Sequence, residues 1–265
     1  MRGTVRVMSR FSGKRAIVTG GGRGIGEAVA RRLYSEGASV MVVSRTEAEV
    51  GAVAGVLGER ALAHVADVSL EADVQGIVDR ALEVWGRIDV VVNNAGIDDD
   101  CPFLDVQAES WQRVLGVNLT GPFLVSQRAA RAMATTGGGA FVHIASIAAL
   151  AGDGEQVAYG ASKAGLLGLN RIMAMELARH GIRSNVVHPG YTATPLTRQY
   201  VGEEMYEYMM GGFARIPQGR MALPEEIAAA VAFLASDDAA AITGTDLVVD
   251  GGTMANCYVV ETLPQ

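Results

Sequence analysis

Tyr159 and Lys163 form the most informative pair of residues in the sequence. The chain has 22 lysine and arginine residues, but Lys14 and Lys163 are its only lysines. Lys163 follows Tyr159 by four positions, which places the phenol and the ammonium on one face of a helix. Lysine offers a compact charge on a flexible stem, which arginine does not. With Ser146 thirteen residues before Tyr159, the pair predicts proton transfer to or from a carbonyl or alcohol oxygen.

A glycine-rich loop follows the first predicted strand and opens the first predicted helix. Gly20, Gly24 and Gly26 have the spacing of a dinucleotide-binding turn. Such glycines make a tight turn, admit a pyrophosphate and let the helix pack on the strand, while backbone N–H groups hold the phosphates. The pattern alone is weak in a chain with 33 glycines, but its position between a strand and a helix favours a dinucleotide site.

The end of the second predicted strand bears on which dinucleotide is used. An acidic residue there holds the ribose 2′-hydroxyl of NAD, whereas a cation accommodates the 2′-phosphate of NADP. The sequence has Ser44 and Arg45 at this point, and Arg23 in the glycine loop offers a second cation. Because guanidinium groups bind phosphate through paired hydrogen bonds, we predict NADP(H), with NAD(H) as the alternative.

Short apolar segments alternate with longer helical patterns along the whole chain. This predicts a single doubly wound Rossmann-type α/β domain, with a seven-stranded parallel sheet and helices on both faces. The predicted strands are Arg15–Thr19, Ser39–Ser44, Ala61–Val65, Val90–Asn93, Ala140–Ile144, Arg183–His188 and Asp246–Val249. The predicted helices are Gly24–Glu36, Glu47–Leu57, Leu70–Trp85, Glu109–Ala134, Val157–His180 and Glu225–Ala235, with Thr46 and Glu49 as a capping box before the second.

Composition excludes several classes of protein. A net charge of −7 argues against a nucleic-acid or anionic-membrane surface. The chain has no apolar run of about 18 residues and no secretory leader pattern, so we expect a cytoplasmic protein without a membrane span. Cys101 and Cys257 lack metal or redox spacing. The histidines are scattered, and no metal site is expected at His64, His143, His180 or His188.

Taken in order, these motifs resemble the short-chain dehydrogenase/reductase family, and most closely its 3-oxoacyl-thioester (acyl-carrier-protein) reductases. The resemblance runs from about Gly13 to Gly252. The matching segments are Thr19–Gly26, Asp67-Val68, Asn93–Gly96, Asn118, Ser146, Tyr159–Lys163, Pro189-Gly190 with Thr194, and Asp250–Gly252.

The resemblance implies roles for the matching positions. Asn118, Ser146, Tyr159 and Lys163 match the catalytic tetrad, in which Asn118 anchors a proton-carrying water chain. We expect the Lys163 ammonium and a bound oxidised nicotinamide to lower the pKa of Tyr159 from its usual value of about 10. Contacts with the cofactor are expected for Gly20, Arg23, Gly24, Ile25, Gly26, Ser44, Arg45, Asp67, Val68, Asn94, Ala95, Gly96, Tyr159, Lys163, Pro189, Gly190, Thr192 and Thr194.

Four segments are expected from the sequence and the resemblance together. Residues 1–12 are predicted to be a flexible lead-in, and residues 13–252 the domain. A substrate lid is expected at about 195–215, where tyrosine, methionine and phenylalanine favour a bulky or apolar substrate. An amphipathic helix packing on its own protein or on a neighbouring subunit is an equal alternative for this segment. The tail, 253–265, is expected to contact another protomer of a homotetramer.

The function predicted from these features is an NADP(H)-dependent oxidoreductase that transfers a hydride between the cofactor and a ketone or secondary alcohol. One alternative is an NAD-dependent dehydrogenase of a sugar, polyol or hydroxysteroid. Another is a non-catalytic dinucleotide-binding sensor or scaffold, which the complete tetrad disfavours. Asp98, Asp99 and Asp100 follow the Asn93–Gly96 motif. At the mouth of the pocket they would disfavour small acidic substrates, although a solvated turn is the simpler reading.

Overall fold

The computed structural model describes residues 9–255 of the chain. Seven parallel strands form one sheet in the order β3-β2-β1-β4-β5-β6-β7. The central strands are buried on both faces, as a parallel sheet covered by helices requires. The strands are β1 Arg15–Thr19, β2 Ser39–Ser44, β3 Ala61–Val65, β4 Val90–Asn93, β5 Gly139–Ile144, β6 Ile182–Pro189 and β7 Asp246–Val249.

Nine α-helices accompany the sheet within the described residues. Each crossover between neighbouring parallel strands carries at least one of them, so the predicted doubly wound fold is confirmed. The helices are α1 Gly24–Ser35, α2 Glu47–Leu57, α3 Glu71–Trp85, α4 Ala108–Leu115, α5 Gly121–Thr135, α6 Val157–Leu177, α7 Pro195–Val201, α8 Glu203–Met210 and α9 Pro224–Ala235.

Two apolar cores hold the helices on opposite faces of the sheet. On one face, α1 and α9 pack together against β1, β2 and β4, with Leu33 and Val231 fully buried. On the other, α3 and α5 bury Ile77 and Met133 against the same strands. Because helices cover both faces of the sheet, a ligand can reach it only at the edge where the strands end. The strand order reverses between β1 and β4, which is where such sheets open a ligand crevice.

The long helix predicted over Glu109–Ala134 is interrupted, and this part of the prediction is wrong. Helices α4 and α5 are joined by a π-helical turn, Gly116–Thr120. Pro122 in the first turn of α5 has no N–H group, so it cannot donate the α-helical bond that would continue the ladder. The turn widens the helix at Asn118 and buries that side chain completely.

The predicted capping box before α2 is also wrong. Thr46 precedes the helix in an extended conformation, but its side chain makes no capping hydrogen bond. Glu49 turns toward the glycine loop instead, and its carboxylate lies 3.9 Å from the Arg23 guanidinium. The ion pair therefore competes with the local cap for Glu49.

The segment predicted as a flexible lead-in joins the folded domain at its last residues. Phe11 is buried in the apolar core, and Arg10 donates two hydrogen bonds to the carboxylate of Glu36. Residues 1–8 lie outside the described part of the chain, as do residues 256–265 of the predicted tail. Among residues 9–255, no helix combines the length and apolar character that crossing a membrane requires.

Candidate active site

A cavity of about 370 Å³ opens at the carboxyl edge of the sheet. Its wall extends from the glycine turn, past the ends of β2 and β3, to Ser146 and Tyr159 at the other end. All the residues predicted to bind a cofactor or act in catalysis line this cavity, except Gly26 and Asn118. The structure therefore brings together groups that are far apart in the sequence.

The glycine turn has the shape that a dinucleotide pyrophosphate needs. Gly20 and Gly24 have positive φ angles of 61° and 57°, which glycine adopts without strain. A Cβ atom on Gly20 would lie 2.8 Å from the Ala95 Cα, and one on Gly26 would lie 2.1 Å from the Gly20 carbonyl oxygen. Helix α1 starts at Gly24 without a side-chain cap, so its first N–H groups are free to bind phosphate oxygens.

Asn94 fixes this turn against the end of β4. Its side-chain amide donates to the carbonyl oxygens of Thr19 and Gly20, both at 3.0 Å. The backbone N–H groups of Asn94 and Ala95 donate to the Thr19 hydroxyl, at 3.1 Å each. These four bonds join the switch point of the sheet to the glycine turn, so the turn is held in place by β4 as well as by α1.

Two arginines stand at the end of the cavity formed by the glycine turn and β2. The side chain of Arg45 is 64% exposed, and a guanidinium nitrogen lies 3.6 Å from the carboxylate of Asp67. Burial acts to raise the pKa of Asp67, but hydrogen bonds from Ser69 and the charge of Arg45 hold it below its usual value. Arg23 is 56% exposed and lies near Glu49. Both cations line the cavity.

Ser146 lies directly after β5, at the opposite end of the cavity. Its backbone is extended, and its hydroxyl oxygen accepts a hydrogen bond of 3.1 Å from the Ala148 N–H group. Because that bond uses an oxygen lone pair, the hydroxyl proton remains available for donation to another oxygen. The Ser146 side chain also lies close enough to the Tyr159 phenol to lower the pKa of that group.

Lys163 lies one turn after Tyr159 on α6, as the spacing predicts. Its side chain is almost wholly buried, and its Nζ atom donates a 2.8 Å hydrogen bond to the Ile144 carbonyl oxygen. The Nζ atom lies 5.4 Å from the centre of the Tyr159 ring. A Cβ atom on Gly96 would lie 3.3 Å from Nζ, so the missing side chain leaves room for the ammonium in the cavity wall.

Burial controls the ionisation of both groups. It raises the pKa of Tyr159 to about 12 and lowers the pKa of Lys163 to about 8. The Ser146 hydroxyl acts to lower the pKa of the phenol, and the carboxylate of Asp98 acts to raise both values. In the protein without cofactor, the pKa of Tyr159 is therefore not lowered as expected, because desolvation of the phenolate is the largest influence on it.

Asn118 lies beneath the cavity and does not form part of its wall. Its amide nitrogen donates to the Ile97 carbonyl and the Ser162 hydroxyl, and its oxygen accepts from the Ile97 N–H group at 2.9 Å. These bonds connect the loop after β4 with α6, the helix that carries Tyr159 and Lys163. The observed position makes Asn118 a tie between the two halves of the site.

The structure adds polar and aromatic groups that sequence reasoning did not identify. Gln156, Asp153 and Tyr191 line the cavity near Tyr159. Gln156 precedes Tyr159 by three positions, and its amide donates a 3.0 Å bond to Asp98. Helical spacing from Tyr159 could have indicated Gln156, and Tyr191 directly follows the Pro189-Gly190 motif. Asp153 lies in a loop without a recognisable pattern.

Two carboxylates, those of Asp98 and Asp153, line this end of the cavity. Burial raises the pKa of Asp98, although the Asp99 N–H group and the charge of Lys163 oppose the change. Burial and the neighbouring Asp98, Glu155 and Asp153 carboxylates raise the pKa of Asp100 to about 6. Of the Asp98–Asp100 turn, Asp98 lines the cavity, whereas Asp99 pairs with Arg113.

The segment predicted as a lid forms two short helices over the cavity. Thr194 caps α7 by accepting a 3.1 Å bond from the Thr197 N–H group, and Leu196 and Tyr200 of that helix line the cavity. Helix α8 buries Tyr206 and Met209 in a small apolar cluster with Ile216 and Met221. Leu196 and Tyr200 thus line the cavity, and Tyr206 and Met209 pack within the protein, whereas Met205 and Tyr208 of α8 are exposed.

Comparison with known proteins decides the family. A family model described as enoyl-(acyl carrier protein) reductase matches residues 20–254. The 3-oxoacyl-[acyl-carrier-protein] reductase FabG of Escherichia coli is 38% identical over 91% of this chain and 98% of its own length. The chain belongs to the short-chain dehydrogenase/reductase family. It is therefore an oxidoreductase that acts on CH–OH or C=O groups, as predicted.

Relatives within the family act on different substrates. D-threitol dehydrogenase of Mycolicibacterium smegmatis is 40% identical over 92% of this chain and 94% of its own length. The crystal structure of levodione reductase superposes with a TM-score of 0.87 at 36% identity, covering 94% of this chain and all of the other. The family uses NAD(P)(H), so the choice of cofactor and substrate depends on the residues of this cavity.

Proposed function

We propose that the protein is an NADP(H)-dependent carbonyl reductase that converts a ketone to a secondary alcohol and also catalyses the reverse reaction. One observation carries the proposal. Ser146, Tyr159 and Lys163 meet in the same cavity as the glycine turn and the two exposed arginines. A sensor or scaffold would need the glycine turn and the arginines to bind the dinucleotide, but it would not need Ser146, Tyr159 and Lys163.

Each residue has a role that its environment supports. Tyr159 gives its proton to the carbonyl oxygen, and the high pKa of about 12 keeps the phenol protonated and ready to donate. Ser146 donates a hydrogen bond to the same oxygen, a contact worth about 10²–10³ in rate in other enzymes. Lys163 would hold the ribose hydroxyls of the nicotinamide. The cofactor, when bound, supplies the hydride.

The preference for NADP(H) is proposed from the positions of Arg45 and Arg23. Replacing Arg45 with aspartate should lower kcat/KM with NADPH by about 10- to 100-fold and raise the relative use of NADH. The substitution removes a charge-assisted contact to the 2′-phosphate and introduces repulsion there. The measurement is kcat/KM for both cofactors with one ketone.

Arg80→Asp is the matched control for this prediction. Arg80 lies on the exposed surface of α3, where it pairs with Glu83, and it does not line the cavity. The control carries the same change of charge and should leave the NADPH/NADH ratio unaltered. An unchanged ratio in Arg45→Asp would remove this residue from the cofactor site.

A second candidate, oxidation of a polyol by NAD, is favoured by the Asp98 and Asp153 carboxylates in the wall of the cavity and by the similarity to D-threitol dehydrogenase. Carboxylates accept hydrogen bonds from hydroxyl groups and repel anions. Absorbance of the reduced nicotinamide with ketones, β-ketoesters, diketones and polyols, each with both cofactors, separates the two candidates. Turnover of polyols with NAD alone would favour the second.

Asp98 should discriminate against anionic substrates. Asp98→Asn keeps the shape of the side chain and removes its charge, so kcat/KM for a keto acid should rise about 10-fold relative to the neutral ester of the same acid. Asp79→Asn, on the exposed face of α3, is the control and should not alter the ratio. Equal ratios in both variants would show that Asp98 does not face the substrate.

Assembly as a homotetramer in the cytoplasm is part of the same proposal. Support comes from apolar side chains exposed on the helices, including Phe123 on α5 and Ile172 and Met175 on α6. Exposed apolar residues in such number are typical of a surface that another subunit covers.

A further inference from the structure

The side chain of His188 contacts the backbone of Ser146. It occupies the end of β6, one residue before Pro189, and its side chain is completely buried. The Nδ1 atom of its ring is 2.8 Å from the backbone carbonyl oxygen of Ser146. No role was predicted for this histidine from the sequence, where it appeared only among scattered residues.

The short contact identifies the donor. A carbonyl oxygen can only accept a hydrogen bond, so a ring nitrogen at 2.8 Å must carry a proton. The Ser146 carbonyl also accepts a 3.0 Å bond from the Ala149 N–H group. Two donors, one from β6 and one from the turn after β5, therefore fix the orientation of this peptide group.

The other side of the ring makes no hydrogen bond within residues 9–255. Nε2 lies 4.0 Å from Asp246 Oδ1, beyond hydrogen-bond distance, and neither atom has another partner. Asp246 uses its second oxygen to pair with Arg171 at 3.0 Å. The Ser146 carbonyl is thus the one hydrogen-bond partner of the His188 side chain among the described residues.

Burying an imidazole that makes only one hydrogen bond lowers the stability of the fold, so its presence here calls for a functional explanation. Desolvating a polar group costs free energy that burying an apolar side chain does not. The preceding residues of β6, Val186 and Val187, are apolar and fully buried. An aliphatic residue at position 188 would satisfy the core equally well but would leave the Ser146 peptide held from one side only.

We propose that His188 is a positioning residue that holds Ser146 in the orientation required for donation to the substrate oxygen. The proposal rests on the proposed carbonyl reduction. The Nδ1–H group holds the peptide group after the Ser146 Cα atom, and the Ala145 N–H group, bonded to the Val187 carbonyl, holds the backbone before it. Together they set the direction of the Cα–Cβ bond. The Ala148 N–H group then sets the hydroxyl oxygen, so that its proton points toward Tyr159 and the substrate.

Three substitutions separate the hydrogen bond from the volume of the side chain. His188→Leu removes the donor and should lower kcat by about 10- to 100-fold, the effect expected from a misplaced catalytic group. His188→Asn places an amide N–H group near the position of Nδ1 and should restore kcat to within about 5-fold of wild type. His188→Gln moves the donor one bond further away and should behave like leucine. In all three, the Kd for NADPH should change by less than about 2-fold.

A double-substitution cycle tests whether His188 acts through Ser146. In the Ser146→Ala background the hydroxyl is absent, so adding His188→Leu should cost no further kcat. A merely structural role, for example support of the neighbouring Pro189-Gly190 segment, would lower kcat in both backgrounds. Equal losses in the two backgrounds would overturn the proposal.

A measurement without substrate separates this proposal from the proposed function. In protein labelled with ¹³C on the tyrosine rings, the Tyr159 signal is assigned by its loss in Tyr159→Phe. His188→Leu should shift this signal, because the Ser146 hydroxyl is displaced from its position beside the phenol. His188→Asn should leave the signal near its wild-type position. His143→Asn is the control, since His143 is equally buried but bonds Ser184 and Asn93. An unmoved Tyr159 signal in His188→Leu would contradict the positioning role even if no carbonyl substrate is found.

Discussion

Tyr159→Phe is expected to lower turnover by about 10²–10⁴-fold, the contribution of a well-placed general acid. The phenol lies beside the Ser146 hydroxyl in the cavity. It stays protonated at neutral pH because burial raises its pKa to about 12. Removing the hydroxyl leaves the glycine turn, Arg45 and Lys163 in place. The Kd for NADPH should therefore change by less than about 2-fold.

The measurement for Tyr159→Phe combines NADPH oxidation under saturating cofactor with fluorescence titration of NADPH binding. Tyr34→Phe is the matched control, because Tyr34 lies outside the cavity and stacks on the Arg60 guanidinium. It loses the same hydroxyl and should keep wild-type turnover. Normal turnover in Tyr159→Phe would defeat the assignment of the proton donor.

Gly26→Ala should strongly weaken dinucleotide binding. The added methyl group would lie 2.1 Å from the Gly20 carbonyl oxygen and 2.5 Å from the Asn94 amide nitrogen. Neither atom can move alone, because that carbonyl and amide are hydrogen-bonded to each other at 3.0 Å. The turn must open, and the aligned N–H groups at the start of α1 are lost to the phosphates. We expect the Kd for NADPH to rise at least about 100-fold, a loss of about 2.7 kcal/mol.

Gly51→Ala provides the control for this substitution. Gly51 lies inside α2 with no atom within 4 Å of its Cβ position. The same change there should leave the Kd unaltered and raise the free energy of unfolding by about 0.5–1 kcal/mol, since alanine is the better helix former. Isothermal titration and thermal unfolding measure both quantities. Tight NADPH binding by Gly26→Ala would show that the turn does not hold the pyrophosphate.

The architecture could be predicted because its signals are local. β1 and β4 are short runs of apolar residues buried on both faces, which is the pattern of a parallel sheet. The spacing of Tyr159 and Lys163 on one helix face also followed from the sequence alone, as did the position of the glycine turn between β1 and α1.

The features that could not be predicted depend on contacts between distant segments. The π-helical turn around Asn118 forms where that side chain can reach Ile97 and Ser162, and no periodicity in the sequence marks it. Glu49 pairs with Arg23 of the glycine loop and does not form the capping box predicted with Thr46. The pKa of Tyr159 depends on how many neighbours exclude water from the phenol, which a motif does not state.

The same reasoning applies to the residues that the motifs missed. His188 contacts Ser146 across two neighbouring strands, and the contact exists because β5 and β6 pair in a particular register. Register between distant strands is set by the packed sheet and not by either strand alone. The motifs therefore identified the residues that carry the proposed chemistry but not those that position them.

Transfer of a labelled hydride tests the central claim most directly. The enzyme is incubated with each carbonyl compound of the panel and with reduced cofactor that carries deuterium at the transferred position, and the alcohol is examined by mass spectrometry. We predict one deuterium on the carbinol carbon with wild type, and incorporation slower by about 10²–10⁴-fold with Tyr159→Phe. Failure of every carbonyl compound to acquire the label, with cofactor bound and the protein folded, would contradict the proposal that this cavity reduces carbonyl groups.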